Sequence, residues 1–406
     1  MTTSDRRFDF VLFGASGFTG RLTALYLAAH APAAARWALA GRSLDKLARV
    51  RAEIAAVRPE FACIDLFVVD SSDASALASV AASTRVITTT VGPYILHGEP
   101  LVAACAAAGT DYLDLTGEPE FVDAMWLAHH AQAVRTGARL VHACGFDSIP
   151  HDLGAYFCAQ QLPKDLPVRM RGYVSAQGTF SAGTFHSAVH AFSRLGRTAR
   201  AAAQRHRQEA LQQGQSSAPV RQVGAVSQGL HRAPSGAGMP RGWAVPLPTI
   251  DPQMVKRSAR TLAAFGPDFR YGHFVVLPKL RQVLGLVVGV GVLVLLAQVP
   301  PLKRWLLASK VSGEGPDAAQ RARASFSVTF VAEAVTPSGP QRLLTQVSGG
   351  DPGYGETSKM LAESTLCMAY DTLPKVSGQV TTAVVMGDAL VRRLQAAGIG
   401  FAVMER

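Results

Sequence analysis

The feature that most constrains this chain is a junction near its start. Residues 8–13 (FDFVLF) are apolar apart from Asp9, and Gly14-Ala15-Ser16-Gly17-Phe18-Thr19-Gly20 follows without a gap. From residue 17 to residue 30 the composition becomes rich in Ala and Leu, as a helix requires. A strand that turns through glycines directly into a helix is the first unit of a parallel, doubly wound sheet. The alternation then continues. Strands are predicted at 36–40, 66–70, 85–89, 112–115 and 140–143, with helical stretches between them and Ser43 as N-cap of a helix over 43–58. Residues 1–150 therefore read as α/β, a Rossmann-type dinucleotide-binding domain.

The glycines follow G-x-x-G-x-x-G spacing. Such a loop permits a tight turn, lets backbone N–H groups approach a pyrophosphate, and presents the positive end of a helix to it. Gly14, Ala15, Ser16, Gly17, Phe18, Thr19 and Gly20 are accordingly the expected cofactor cradle. An NAD-specific site places Asp or Glu at the end of the second strand, about twenty residues on. This chain has Arg42 there, followed by Ser43. Arginine suits a 2′-phosphate through bidentate hydrogen bonds and stacking on adenine, so NADP(H) is expected in preference to NAD(H). Asp70 and Ser71 end the third strand, where adenine is bracketed, although Asp70 reads equally well as a helix N-cap. Gly92 and Pro93 follow the fourth strand, on the nicotinamide side.

Beyond Gly145 the texture changes. Residues 168–175 and 325–333 read as half-exposed strands, Phe326, Val328 and Phe330 alternating with Ser325, Ser327 and Thr329. That period suits an antiparallel sheet with one face in water. Turn residues at 336–340 lead to a hairpin partner at 342–348. A helical stretch over 184–213 precedes a Gly/Pro/Ser-rich passage over 214–250, and helices are predicted at 356–373 and 386–397. The organisation expected is an α+β substrate or dimerisation domain over 151–350 and a C-terminal helical return, 351–406, packing on the first domain. A homodimer is compatible with this arrangement.

Charge and hydropathy are uneven along the 406 residues. The net charge is +11, from 40 Lys+Arg against 29 Asp+Glu, which favours acidic partners. Between Ser187 and Gly266 eleven Lys/Arg face only Glu209 and Asp251. Trp243 stands nearly alone there, without the interleaved aromatics of a nucleic-acid binder, so no nucleic acid is expected. A solvated helix face or an anionic lipid surface accounts for the charge instead. Residues 283–299 (VLGLVVGVGVLVLLAQV) lie within 21 uncharged residues, flanked by Arg281 and by Lys303-Arg304. That length is borderline for a bilayer span. The alternatives are a helix inserted at a membrane interface, a buried core or dimer-interface helix, and a true span, which would put the two flanking parts of one domain on opposite sides. Five scattered cysteines without a CxxC pair fit a reducing compartment, and the N-terminus lacks a signal peptide's apolar region. A cytoplasmic protein, peripheral or monotopic on a membrane, is the expectation.

Catalytic candidates follow from position. Tyr94, directly after the fourth-strand loop, is a phenol on the nicotinamide side, and His97 lies three residues further on. His151 follows the last strand of the first domain; Asp147 before it reads as a cap for the next helix. Asp114 and Glu118 read as backbone caps. No Tyr-x-x-x-Lys pair stands in a credible position, and no metal site is expected.

Several segments together resemble the saccharopine dehydrogenase-like oxidoreductases: GASGFTG at 14–20, AGR at 40–42, VGPY at 91–94, GTDYLDLTGE at 109–118, GFDSIPHDLG at 145–154, GEGPD at 313–317 and GDPGYGETSKMLAES at 350–364. Within that family they look most like the bacterial trans-acting enoyl reductases and the animal lipid-droplet-associated saccharopine dehydrogenase-like protein. The resemblance implies a Rossmann domain, an inserted α+β domain, a C-terminal return and nicotinamide-dependent oxidoreduction, with lipid or polyketide substrates in the enoyl reductase branch. The expected function is NADPH-dependent reduction of a hydrophobic acyl or enoyl substrate at or near a membrane. The alternatives are reduction of an imine or carbonyl in a small metabolite, and a non-catalytic nucleotide-binding protein of a lipid surface.

Overall fold

The computed structural model describes residues 6–177, 182–213, 221–308, 316–336 and 339–405. Residues 313–315 of the GEGPD segment and 337–338 of the expected hairpin turn lie outside these. Six strands come first: β1 (Phe8–Phe13), β2 (Trp37–Gly41), β3 (Asp65–Val68), β4 (Thr84–Thr89), β5 (Asp111–Leu113) and β6 (Arg139–Val141). The middle of the chain supplies β7 (Val168–Gln177), β8 (Gln222–Ala225), β9 (His231–Arg232), β10 (Trp243–Pro246), β11 (Asp268–Leu277), β12 (Ser325–Thr336) and β13 (Gly339–Gly349). The C-terminal segment adds β14 (Gly378–Val380) and β15 (Gly400–Glu405).

One sheet has the order β14-β6-β5-β4-β1-β2-β3, and every pair in it is parallel. Strand order reverses between β1 and β4, so their carboxyl ends open the crevice in which such sheets hold ligands. β1 is buried along its whole length, which explains its unbroken apolar reading.

The chain's last third completes this layer. The helix Gly355–Tyr370 is buried from Met360 to Ala369 and packs on β4 and on the helix Phe18–His30. Its inward hydroxyls are satisfied: Ser364 and Thr365 donate to the carbonyls four residues back, and the Thr365 and Thr88 hydroxyls stand 2.7 Å apart. At the surface Arg393 grips Asp371 with two hydrogen bonds of 2.6 and 2.7 Å and reaches Glu363 at 3.2 Å.

The second sheet runs β15-β13-β12-β7-β11-β10-β9, with β8 also paired to β11. It is mixed, because β7 and β11 are parallel. The expectation of one solvated face is corrected at Thr329, which is fully buried and donates to the Gly238 carbonyl at 3.2 Å. Residues of the Gly/Pro/Ser-rich passage, Ala233 and Met239 among them, cover Tyr173, Phe274, Val331 and Leu344 on that face. A hydroxyl that finds a carbonyl partner can be buried, so alternation of polar and apolar residues does not by itself mark a wet face.

The apolar run forms the helix Leu280–Gln298, followed at Pro300 by the helix Pro300–Ala308. Only Val283 and Ala297 of the longer helix are buried, which overturns the buried-core alternative. Its C-terminal half and the helix Pro300–Ala308 rest on the helix Ala182–Phe192, with Ala297 and Leu306 buried against Val189. The basic stretch is also less free than its composition suggests. Arg205 is 2% exposed and lies 2.6 Å from both Asp123 and Glu209, while Arg194 grips Glu120 with bonds of 2.8 and 2.6 Å. Arg197, Arg200 and Arg207 remain exposed.

Candidate active site

The glycine loop is set by close approach. Gly14 has φ +87°, a conformation that side chains with a Cβ rarely adopt. A Cβ at Gly20 would lie 2.1 Å from the Gly14 carbonyl oxygen, so the helix Phe18–His30 can start against the turn only with glycine there. Its N-cap residue Gly17 supplies no side-chain cap, which leaves the first helical N–H groups without a side-chain partner at the end carrying the positive partial charge. The Thr90 hydroxyl donates to the Gly14 carbonyl at 3.1 Å and ties the loop after β4 to the glycine turn. These features fit a pyrophosphate. The C-terminal return covers the cradle: Tyr354, in the glycine-rich segment whose residues could reach the cofactor, packs edge-on against Phe18 at 4.8 Å, and the Ser358 hydroxyl donates to the Thr19 carbonyl at 3.3 Å.

Arg42 stands exposed at the end of β2, and Ser43 caps the next helix, as expected, by accepting from the Lys46 N–H at 3.4 Å. Asp70 does not cap a helix; Asp73 does, accepting from the Ala76 N–H at 2.9 Å. Asp70 instead accepts from the Ser72 hydroxyl and N–H at 2.7 and 2.9 Å, and these bonds, helped by the charges of Arg42 and His97, hold its carboxyl below its ordinary pKa. Arg42, Asp70 and the exposed His97 thus share one rim, with Ser71 half-buried beside them. An unburied guanidinium at this place fits a 2′-phosphate. Gly92 and Pro93 lead into the short helix Tyr94–His97.

The other two catalytic candidates serve different ends. The Tyr94 hydroxyl donates to the Thr89 carbonyl and accepts from the Leu115 N–H, each at 3.1 Å, and the ring is buried against Phe121. Burial first, and then the charge of Asp114, raise the phenol well above its ordinary pKa. Instead of a reactive phenol, Tyr94 is a brace across the ends of β4 and β5. Glu118 supports it, accepting from the N–H groups of Tyr94 and Ile95 at 3.0 and 2.8 Å and from the Ser187 hydroxyl at 2.7 Å. His151 is 1% exposed and turned toward Asp251 and His273, with burial pushing its pKa down to about 4. It offers no proton to the crevice.

Asp147 does not cap the helix that follows it. Ser148 occupies the N-cap position of the helix Ile149–Gln160, and its side chain makes no cap bond. The Asp147 carboxylate lies instead beside Gly117, where a Cβ would stand 3.2 Å from Oδ2. Gly117 follows β5 and Asp147 follows β6, so the carboxyl group sits at the carboxyl edge of the sheet. Burial, reinforced by the negative charge of Asp251, lifts its pKa to about 7. Only the fold reveals that its capping partner is absent.

A parallel sheet with its crevice at β1/β4, a glycine cradle and an arginine at the ribose end defines a nicotinamide-dependent oxidoreductase. Residues 10–141 match the saccharopine dehydrogenase NADP-binding domain. A Mycobacterium tuberculosis protein named for trans-acting enoyl reduction is 38% identical over 419 residues, covering 98% of each chain. The trans-acting enoyl reductases of Mycobacterium bovis and Mycobacterium leprae are 36% and 34% identical, again over 98% of each chain. Among solved structures, apo saccharopine dehydrogenase (L-Glu forming) from Saccharomyces cerevisiae has the same fold, with a TM-score of 0.58 at 12% identity over 98% of this chain and 99% of that one. The chain belongs to the saccharopine dehydrogenase-like oxidoreductases, together with the trans-acting enoyl reductases. It is an oxidoreductase whose nucleotide domain is of the NADP-binding kind.

Proposed function

We propose that the protein reduces the carbon–carbon double bond of a hydrophobic enoyl substrate with NADPH, at a lipid surface. The likeness of the whole chain to trans-acting enoyl reductases supports the reaction. When bound, NADPH supplies the hydride. The glycine cradle and Arg42 hold the nucleotide, and Tyr94 and Glu118 fix the loops after β4 and β5 that border the reacting end. Asp147 is the proposed proton source: a carboxyl group at the carboxyl edge of the sheet, packed beside Gly117, whose pKa burial raises.

The exposed apolar helix supports the lipid surface. Leu284, Leu295 and Trp305 are 66%, 70% and 63% exposed, and Leu280, Val287 and Val288 are each more than half exposed. Burying each would stabilise by roughly 1–2 kcal/mol, so water is a poor final environment for this face. Lys279, Arg281 and Arg304 are exposed at its two ends, placed to meet anionic headgroups.

NADPH oxidation followed by absorbance across enoyl thioesters of increasing chain length is expected to rise with acyl length and to leave small imines and ketones unreduced. Asp147→Asn is expected to lower kcat by about 10²–10⁴-fold with NADPH affinity unchanged. Equal turnover by the variant would remove Asp147 from the reaction. Detergent-free protein is expected to sediment with anionic vesicles, and Leu284→Glu/Leu295→Glu to abolish this. A dimer that ignores vesicles would show instead that a second copy covers the face.

A further inference from the structure

A second constellation lies outside the cofactor crevice, where the helix after β6 packs against the second sheet. His151 is on the helix Ile149–Gln160, Asp251 opens the helix Asp251–Thr261, and His273 is on β11. The three side chains are 1–2% exposed. His151 Nδ1 lies 3.1 Å from Asp251 Oδ1, and His273 Nε2 lies 3.5 Å from Asp251 Oδ2. None of the three atoms His151 Nδ1, Asp251 Oδ1 and His273 Nε2 has a hydrogen bond of proper geometry, although each is buried. Orphaned polar atoms in a protein interior are rare and demand a partner. Here three of them, from three separate elements, converge on one point.

We propose that His151, Asp251 and His273 bind a first-row transition-metal dication of zinc's class. One ligand atom from each residue lies within 4.8 Å of the others; the two Asp251 oxygens stand 3.1 Å from His151 Nδ1 (Oδ1) and 3.5 Å from His273 Nε2 (Oδ2). Ligand atoms about 2.1 Å from a tetrahedral ion are about 3.4 Å apart, so the spacing suits such an ion. Two imidazoles and one carboxylate form a borderline nitrogen and oxygen donor set, which favours zinc and its neighbours over calcium or magnesium. Supporting contacts are in place. The other nitrogen of His273, Nδ1, is 3.1 Å from the Tyr271 hydroxyl, the Phe146 backbone hydrogen-bonds His151, and the Thr249 hydroxyl donates to Asp251 Oδ2. A cavity of about 180 Å³, lined by His273, Tyr271, Pro252 and Lys256 among others, lies on the His273 side of the cluster. Bound there, the ion ties the helix after β6 to the helix Asp251–Thr261 and to β11 of the second sheet.

The test is elemental analysis of tag-free, full-length protein, followed by chelation and titration with Zn²⁺ or Co²⁺ alone. One equivalent per chain is expected, with a Tm several degrees higher in the loaded form. Co²⁺ is expected to give visible bands without thiolate charge transfer, which separates this site from the buried cysteines. Asp251→Asn/His273→Gln is expected to lose the equivalent. Retention of the metal by that double variant, or native protein with under a tenth of an equivalent and no Tm response to either ion, overturns the proposal. Should the variant not fold, the native Co²⁺ spectrum decides: nitrogen and oxygen ligation supports the site, and thiolate ligation or no spectrum overturns it.

Discussion

Gly20→Ala is the sharpest perturbation the nucleotide loop allows. The added Cβ would stand 2.1 Å from the Gly14 carbonyl oxygen, 2.9 Å from its carbon and 2.9 Å from the Thr90 hydroxyl. Reaching ordinary contact at 3.4 Å requires the helix Phe18–His30 and the turn to separate by more than an ångström, and two backbone segments cannot yield as a side-chain tip does. Overpacking of this kind costs about 1–3 kcal/mol or more, against a gain of at most about 1 kcal/mol from alanine's helix preference. A net loss of about 1–3 kcal/mol is expected. The same displacement carries the loop N–H groups off the pyrophosphate. One charge-assisted hydrogen bond is worth about 1.5–3 kcal/mol, so NADPH should bind about 10- to 100-fold more weakly. Gly289→Ala is the control, because nothing lies within 4 Å of a Cβ on that exposed helix. It is expected to leave NADPH binding unchanged and to hold or raise Tm. The assays are thermal unfolding and NADPH fluorescence titration. If the two variants move Tm alike and Gly20→Ala binds NADPH within twofold of the parent, the close-approach reasoning is refuted.

Arg42→Ala is expected to weaken NADPH by about 10- to 100-fold and NADH by less than threefold, measured by titration of each; equal losses would remove Arg42 from 2′-phosphate recognition. Thr365→Val leaves the buried Thr88 hydroxyl without its partner at 2.7 Å, for an expected loss of about 1–3 kcal/mol in denaturant unfolding. The double Thr88→Val/Thr365→Val variant should recover part of that loss. Arg393 hydrogen bonds hold the Asp371 carboxyl below its ordinary pKa. A depressed carboxylate stabilises above its unfolded pKa and loses the effect as pH falls through its folded value. Arg393→Met is therefore expected to lower stability by about 1–2 kcal/mol at pH 7, allowing for solvent screening, and progressively less below about pH 4. A Tm difference that stays constant down to pH 2 would contradict this account.

Much of the nucleotide domain was legible in the sequence because its signals are local. The glycine turn, the buried strands and Ser43 as cap depend on residues within a few positions of one another. The places of β1 to β6, to within one or two residues at each end, follow from the same short-range pattern. The active-site chemistry was less legible. Tyr94 stands where a catalytic phenol would stand, yet its hydroxyl is held by Thr89 and Leu115, one of them more than twenty residues away. Asp147 has the look of a helix cap and is none, and only its approach to Gly117 shows the difference.

By itself the sequence determined the doubly wound sheet, the glycine loop and the exposed arginine after β2, because each is written in a contiguous stretch. Tertiary structure alone decided how the charges are used and where the apolar surface lies. It buried Arg205 between Asp123 and Glu209, exposed the face of Leu280–Gln298, and brought His151, Asp251 and His273 together from positions up to 122 residues apart. Such outcomes depend on which surfaces meet when the layers pack, and separations of that length leave no trace in the periodicity of a single segment.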